Sequence, residues 1–229
     1  MGSNDLFKKR KAQKAAELER RQRDRVAGPR FLIVCEGMKT EPFYFQELCE
    51  FHQLRTSRVR VEPGQTGSSP DRVVAYAKQL YAEDAQLGVD PYDYVFCVID
   101  HDQHSTYQAA LARIKQLGKP FKAVPSEPCF EYWLLLHFIY TRQPFAKKGR
   151  CSSCDVVIHE LRKQSGFNAY AKAQRDIYSQ SRHRIDTAIR HAQKVEQDVE
   201  LSGQQNPSTH VHHLVQQLLE LAKTHGRRC

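Results

Sequence analysis

What the sequence lacks narrows the field first. No apolar run approaches the ~20 residues needed to cross a bilayer. The longest, Pro128 to Tyr140, is interrupted by Glu131 and His137. The N-terminus carries no apolar signal region, so a cytoplasmic protein with no membrane attachment is expected. No Walker loop, GxSxG elbow or dinucleotide fingerprint occurs, which argues against ATP hydrolysis by the chain itself. The seven cysteines are an odd, scattered set, and Cys35, Cys97 and Cys129 sit in apolar runs. That pattern implies reduced core thiols rather than a disulfide framework. Cys151-x-x-Cys154 is half of a zinc site that His159 or His183 could complete. No second pair exists, and structural zinc needs four ligands, so zinc is not expected there.

What is present is an ordinary globular composition with an uneven charge. The 229 residues are 40% hydrophobic and 27% charged, enough to bury a core in one large domain or one domain plus an appendage. The net charge of +9 is concentrated at the start: residues 1–30 hold ten Lys/Arg against four acids. Lys8, Lys9, Arg10 and Lys11 make a basic arm suited to phosphates, since each neutralised phosphate releases condensed counterions. A solvated, partly helical tail explains the same residues.

The order of elements implies an α/β fold. RFLIVC (30–35) reads as a buried strand, and Thr40-Glu41-Pro42 as the start of a helix running to about His52 with Thr40 as its cap. A strand over 58–62, a loop over 63–70 and a helix from Asp71 to about Leu87 follow. YDYVFCVI (92–99) is β-prone and should be a central strand. A helix to Leu117 stopped by Gly118, a strand over 120–124 and a turn bracketed by Pro125 and Pro128 complete this part. Such alternation implies a mostly parallel sheet covered by helices on both faces. After Tyr140 the chain turns polar and helical, ending in a helix begun by Asn206-Pro207-Ser208, with Val211, Leu214, Val215, Leu218 and Leu219 on its apolar stripe and His210, His212 and His213 on its exposed side. The expected organisation is a basic arm over 1–28, an α/β core over 29–140 and a helical extension over 141–229.

Two predicted strands end in acids: Glu36 after the first, Asp100 and Asp102 after YVFCVI. Ligand crevices of open parallel sheets lie at the carboxyl ends of strands. If these strands are neighbours, three carboxylates converge and repel unless a cation neutralises them. Magnesium, a hard ion that keeps several waters, suits such a set. The plainer reading is that the Asp-x-Asp pair caps the next helix. Lys39 could reach substrate phosphate from the same loop, or be a surface lysine. Cys129 to Ile139 is apolar all round and reads as a buried helix, with Trp133 and His137 as core residues. Glu131 in its first turn must meet a cation, a metal or backbone donors. It is either a further ligand or general base, or the partner of an arginine or the helix N-terminus.

The segments FLIVCEGMKTEPFYF (31–45), FCVIDHDQH (96–104), SEPCFEYWLLLHF (126–138) and NPSTHVHHLV (206–215) together resemble the RloB-like family, in the same order and across almost the whole chain. These bacterial proteins are often encoded beside an ABC-type ATPase in anti-phage or restriction-linked clusters. The resemblance implies a divergent Toprim-like fold, in which a glutamate follows the first strand and an Asp-x-Asp a later one. It thereby assigns Glu36, Asp100 and Asp102 to metal binding, with Mg2+ or Mn2+ as cofactor and nucleic acid as substrate. Gln103 stands where the family often has another acid, and Glu127 where relatives commonly have asparagine. The expected activity is metal-dependent nuclease action on DNA or RNA, including tRNA, with Glu131 assisting and a neighbouring ATPase or a homodimer as partner. The alternative is a non-catalytic nucleic-acid-binding or regulatory subunit of an ATPase complex.

Overall fold

The computed structural model describes residues 14, 28–65, 67–101 and 105–226. Lys8, Lys9, Arg10 and Lys11, and Asp102 with Gln103, lie outside them. One sheet holds β1 (Phe31–Cys35), β2 (Val59–Glu62), β3 (Tyr94–Asp100), β4 (Phe121–Glu127) and β5 (Ser208–Thr209), in the spatial order β2-β1-β3-β4-β5. The first four are parallel, and β5 runs antiparallel to β4. The helices are α1 (Thr40–Phe51), α2 (Pro70–Gln86), α3 (Tyr107–Leu117), α4 (Glu131–Leu135), α5 (Ser153–Leu161), α6 (Ile177–Ser181), α7 (Ile185–Ser202) and α8 (Val211–Gly226).

The continuous apolar runs of β1 and β3 follow from burial on both sheet faces. Phe31, Ile33, Cys35, Phe96 and Val98 enter a core shared with α1, α4 and the helices beyond residue 150. Leu32, Val34, Val95, Cys97 and Ile99 point the other way, onto Val73, Ala77 and Leu80 of α2 and Ala110 and Ile114 of α3. Each such side chain, fully buried, contributes about 1.5–3 kcal/mol relative to exposure. The C-terminal helices therefore share one apolar core with the sheet.

Several local expectations are corrected. Lys39, not Thr40, holds the cap position of α1, and no side chain caps it. Thr40 is instead the first helical residue, and its Oγ1 accepts the Ala173 N–H at 3.0 Å. β4 does not stop at a turn before Pro125 but runs through it to Glu127. Pro125 is tolerated because its carbonyl faces β5, accepting from His210 N at 2.9 Å, where the partner strand is only two residues long. The buried helix is confined to Glu131–Leu135, although burial continues through His137. Before the last helix, Ser208–Thr209 pairs with β4, held by Ser126 Oγ at 3.0 Å from Thr209 Oγ1. His212 is fully buried rather than exposed. The cysteines are not all reduced: Cys129 and Cys154 form a disulfide, while Cys35, Cys49, Cys97 and Cys151 are free. This pairing removes Cys154 from the half-site with Cys151, which is exposed.

Candidate active site

Adjacency of β1 and β3 brings their carboxyl ends side by side. Glu36 follows β1, and its N–H donates to Val98 O at 3.0 Å, which docks the chain against β3. Its carboxylate Oε2 accepts the Asp100 N–H at 3.0 Å. Asp100 closes β3, and its Oδ2 accepts the Phe130 N–H at 3.2 Å, just ahead of α4. Its other oxygen, Oδ1, is buried and meets no hydrogen-bond partner among the described residues.

Two glycines let the backbone close in around these acids. The Gly37 N–H donates to Glu41 Oε1 at 3.1 Å, and a Cβ on Gly37 would lie 2.0 Å from Glu41 Oε2. Gly64 donates to Gly37 O at 2.9 Å, and a Cβ there would lie 1.8 Å from Glu36 O. The loop after β2 can thus rest on the β1–α1 turn only without a side chain at residue 64. Glu41, 6% exposed, and Glu131, 3% exposed, complete the acidic group. Glu131 Oε1 accepts the Tyr170 hydroxyl at 3.2 Å. Cys154 Sγ lies 3.2 Å from Glu131 Oε2, but in the disulfide it carries no proton and makes only contact.

Glu36, Glu41, Asp100 and Glu131 line one cleft of about 490 Å3 with Gly37, Lys39 and Lys172. Both lysines are exposed. Burial, reinforced by the charges of Glu41, Glu131 and Glu36, pushes the Asp100 carboxyl well above the usual carboxylate range. Burial, with Glu131 adding to it, raises Glu41 to about 7, against the opposing Gly37 hydrogen bond and the Lys172 charge. Carboxylates raised by one another in this way favour either a shared proton or a cation among them.

The donor set fits a hard divalent ion: it is made of carboxylate oxygens, and Asp100 Oδ1 meets no donor among the described residues. Among the described residues, no three of these acids bring carboxylate oxygens within 4.8 Å of one another. Ligating atoms of Glu196, His212 and His213 do converge within 4.8 Å, as do Glu131 and the sulfurs of Cys129 and Cys154, which the disulfide takes out of use as ligands. A loose ring is compatible with an ion that retains waters and takes only one or two protein carboxylates.

Of the residues singled out in sequence, Glu36, Asp100, Glu131 and Lys39 thus border one cleft. Asp102 lies outside the described residues. His137 is a buried core residue, its Nδ1 3.1 Å from Trp133 O. In the sequence, Glu41 reads as a charge at a helix start, and nothing marks Gly64, Tyr170 or Lys172. A second acid five residues after Glu36 was the available signal for Glu41; the others depend on contacts between distant segments.

No curated protein and no solved structure gives a significant match to the chain. The sequence model of RloB-like proteins does, over residues 31–218, a span that contains β1 through the first half of α8 and every acid of the cleft. The chain belongs to the RloB-like protein family.

Proposed function

We propose that the protein is a Mg2+- or Mn2+-dependent nuclease whose reaction is phosphodiester hydrolysis in the cleft at the carboxyl ends of β1 and β3. The observation that carries this reading is Asp100 Oδ1, a buried carboxylate oxygen without a donor among the described residues, set among three further acids. Glu36 and Asp100 would hold the ion, with Asp102 joining them as the family pattern implies. When bound, the cation would polarise a phosphoryl oxygen and stabilise charge developing at the scissile phosphate.

The remaining residues act around that centre. Lys39 and Lys172, at the cleft wall, pair with phosphate oxygens without reading bases. The basic arm, with Lys8, Lys9, Arg10 and Lys11, extends that electrostatic grip along the backbone of the nucleic acid. Glu41 has one oxygen held by the Gly37 N–H, and its carboxyl titrates near neutrality, so Oε2 is suited to carry a proton to or from the reacting group. Tyr170 fixes Glu131 against rotation by donating to Oε1. The family's association with ABC-type ATPases makes activation beside such a partner part of the proposal, in an anti-phage role.

The test is a cleavage assay on plasmid, single-stranded DNA and total tRNA, in Mg2+ and in Mn2+, with and without the neighbouring ATPase. Asp100→Asn should abolish cleavage, by at least about a hundredfold, while leaving the fold intact. Undiminished cleavage by that variant ends the proposal. EDTA-resistant nucleic-acid binding, with no cleavage even beside the ATPase, would establish a non-catalytic binding subunit instead.

A further inference from the structure

A second cluster lies away from the acidic cleft and shares no residue with it. Glu196 projects from α7 toward the start of α8, where three histidines follow β5 almost consecutively. Glu196 Oε1 lies 3.0 Å from His213 Nε2 and 3.8 Å from His210 Nε2, and Oε2 lies 3.2 Å from His212 Nε2. The ligating atoms of Glu196, His212 and His213 all fall within 4.8 Å of one another. The His212 and His213 rings are 3.9 Å apart, centroid to centroid.

We propose that Glu196, His210, His212 and His213 form a binding site for a divalent transition-metal ion of the zinc class, which ties α7 to α8. Three observations point this way. The Nε2 atoms of all three imidazoles face one carboxylate, more than its two oxygens need for a hydrogen-bonded latch. Two ligands on one tetrahedral zinc stand about 3.3 Å apart when each metal–ligand bond is about 2.0 Å. Glu196 stands 3.0 Å from His213 and 3.2 Å from His212, near that value, whereas His210, 3.8 Å away and outside the 4.8 Å group, must move closer to become the fourth ligand. Finally, His212 has no exposed surface, so packing holds its ring with Nε2 toward Glu196 before any ion arrives.

The set is mostly nitrogen, which favours zinc-class ions over the hard, oxygen-seeking magnesium expected in the cleft. The site's position gives it a structural consequence. His210 N–H donates to Pro125 O in β4, so an ion here would pin the short β5 segment and the start of α8 onto the sheet edge.

The experiment uses the full chain without an affinity tag. Zn2+ affinity, Co2+ visible absorption and the metal-induced rise in Tm are measured in excess Mg2+, which occupies the acidic cleft, for the wild type and for His213→Ala, Glu196→Gln and Cys151→Ser. His213 has 48% of its side chain exposed, so its replacement leaves folding of the metal-free protein unharmed, checked by an unchanged metal-free Tm. The wild type should bind one equivalent, with a Co2+ spectrum free of thiolate charge-transfer bands. His213→Ala and Glu196→Gln should each weaken binding by at least about tenfold and remove the zinc-induced rise in Tm. Cys151→Ser should bind as the wild type does. Absence of tight binding in the wild type, or undiminished binding in both His213→Ala and Glu196→Gln, overturns the proposal.

Discussion

The two ends of the parallel strands handle acidic residues in opposite ways. Toward the amino-terminal end and along β2, carboxylates meet arginines: Arg30 with Asp84 at 3.4 Å, and Arg60 with Glu62 at 2.6 Å and Asp84 at 3.4 Å. Arg30 also stacks on Tyr92, its guanidinium 4.4 Å from the ring centroid, and its N–H donates to Asp93 at 2.8 Å. At the carboxyl end, Glu36, Glu41, Asp100 and Glu131 share one cleft whose lysines, Lys39 and Lys172, stand exposed. The first arrangement neutralises acids locally and contributes little net stability. The second concentrates buried negative charge that folding alone would avoid. Carboxylates gathered at such cost mark a place where an ion or a proton is wanted.

The largest effect that would break this contrast concerns geometry. Gly64→Ala puts a methyl group against the Glu36 carbonyl, a backbone atom with nowhere to retreat. Urea unfolding should show a loss of about 3 kcal/mol or more, with the β1–α1 turn displaced. A loss near zero would mean that the loop after β2 does not rest on Glu36.

A smaller effect, opposite in sign, tests the charge imbalance. The Glu41 carboxyl rises from 4.5 to about 7 on folding, so the folded state holds a proton that the unfolded state releases. Its contribution is neutral below pH ~4.5, becomes destabilising as pH climbs toward ~7 and stays so above it, reaching at most about 3 kcal/mol. In EDTA, Glu41→Gln should therefore flatten the decline of stability between those pH values and leave the protein more stable than wild type at pH 8. Parallel pH profiles for the two proteins would contradict the account. The smallest effect belongs to the other end. The Arg60 side chain is 38% exposed, and Arg60→Ala should cost under about 1 kcal/mol, shrinking further in high salt.

The same contrast explains what could be read before any coordinates. Runs such as FLIVC and VFCVI declare buried parallel strands, because burial on both faces forbids polar alternation. An acid directly after such a run, as at Glu36 and Asp100, then lies at the crevice edge by construction. The rest depended on long-range packing. Glu41 lies in a helix start where an acid is routinely favourable, and nothing local signals that it is buried. Tyr170 reaches Glu131 across 39 residues, and β5 is two residues long, too short to show periodicity. The Cys129–Cys154 pair was illegible for a similar reason: 25 residues separate two cysteines whose surroundings look like ordinary core. His212 looked exposed because neighbouring histidines are polar, whereas its partner Glu196 comes from a different helix.

The most direct test of the central claim is a Mn2+ titration followed by electron paramagnetic resonance, comparing wild type with Asp100→Asn and Glu36→Gln. Quenching of the free-ion signal by the wild type, with affinity at least about tenfold lower in each variant and near-native circular dichroism, is the predicted result. Equal Mn2+ binding by all three folded proteins would contradict the assignment of the cleft as the metal centre.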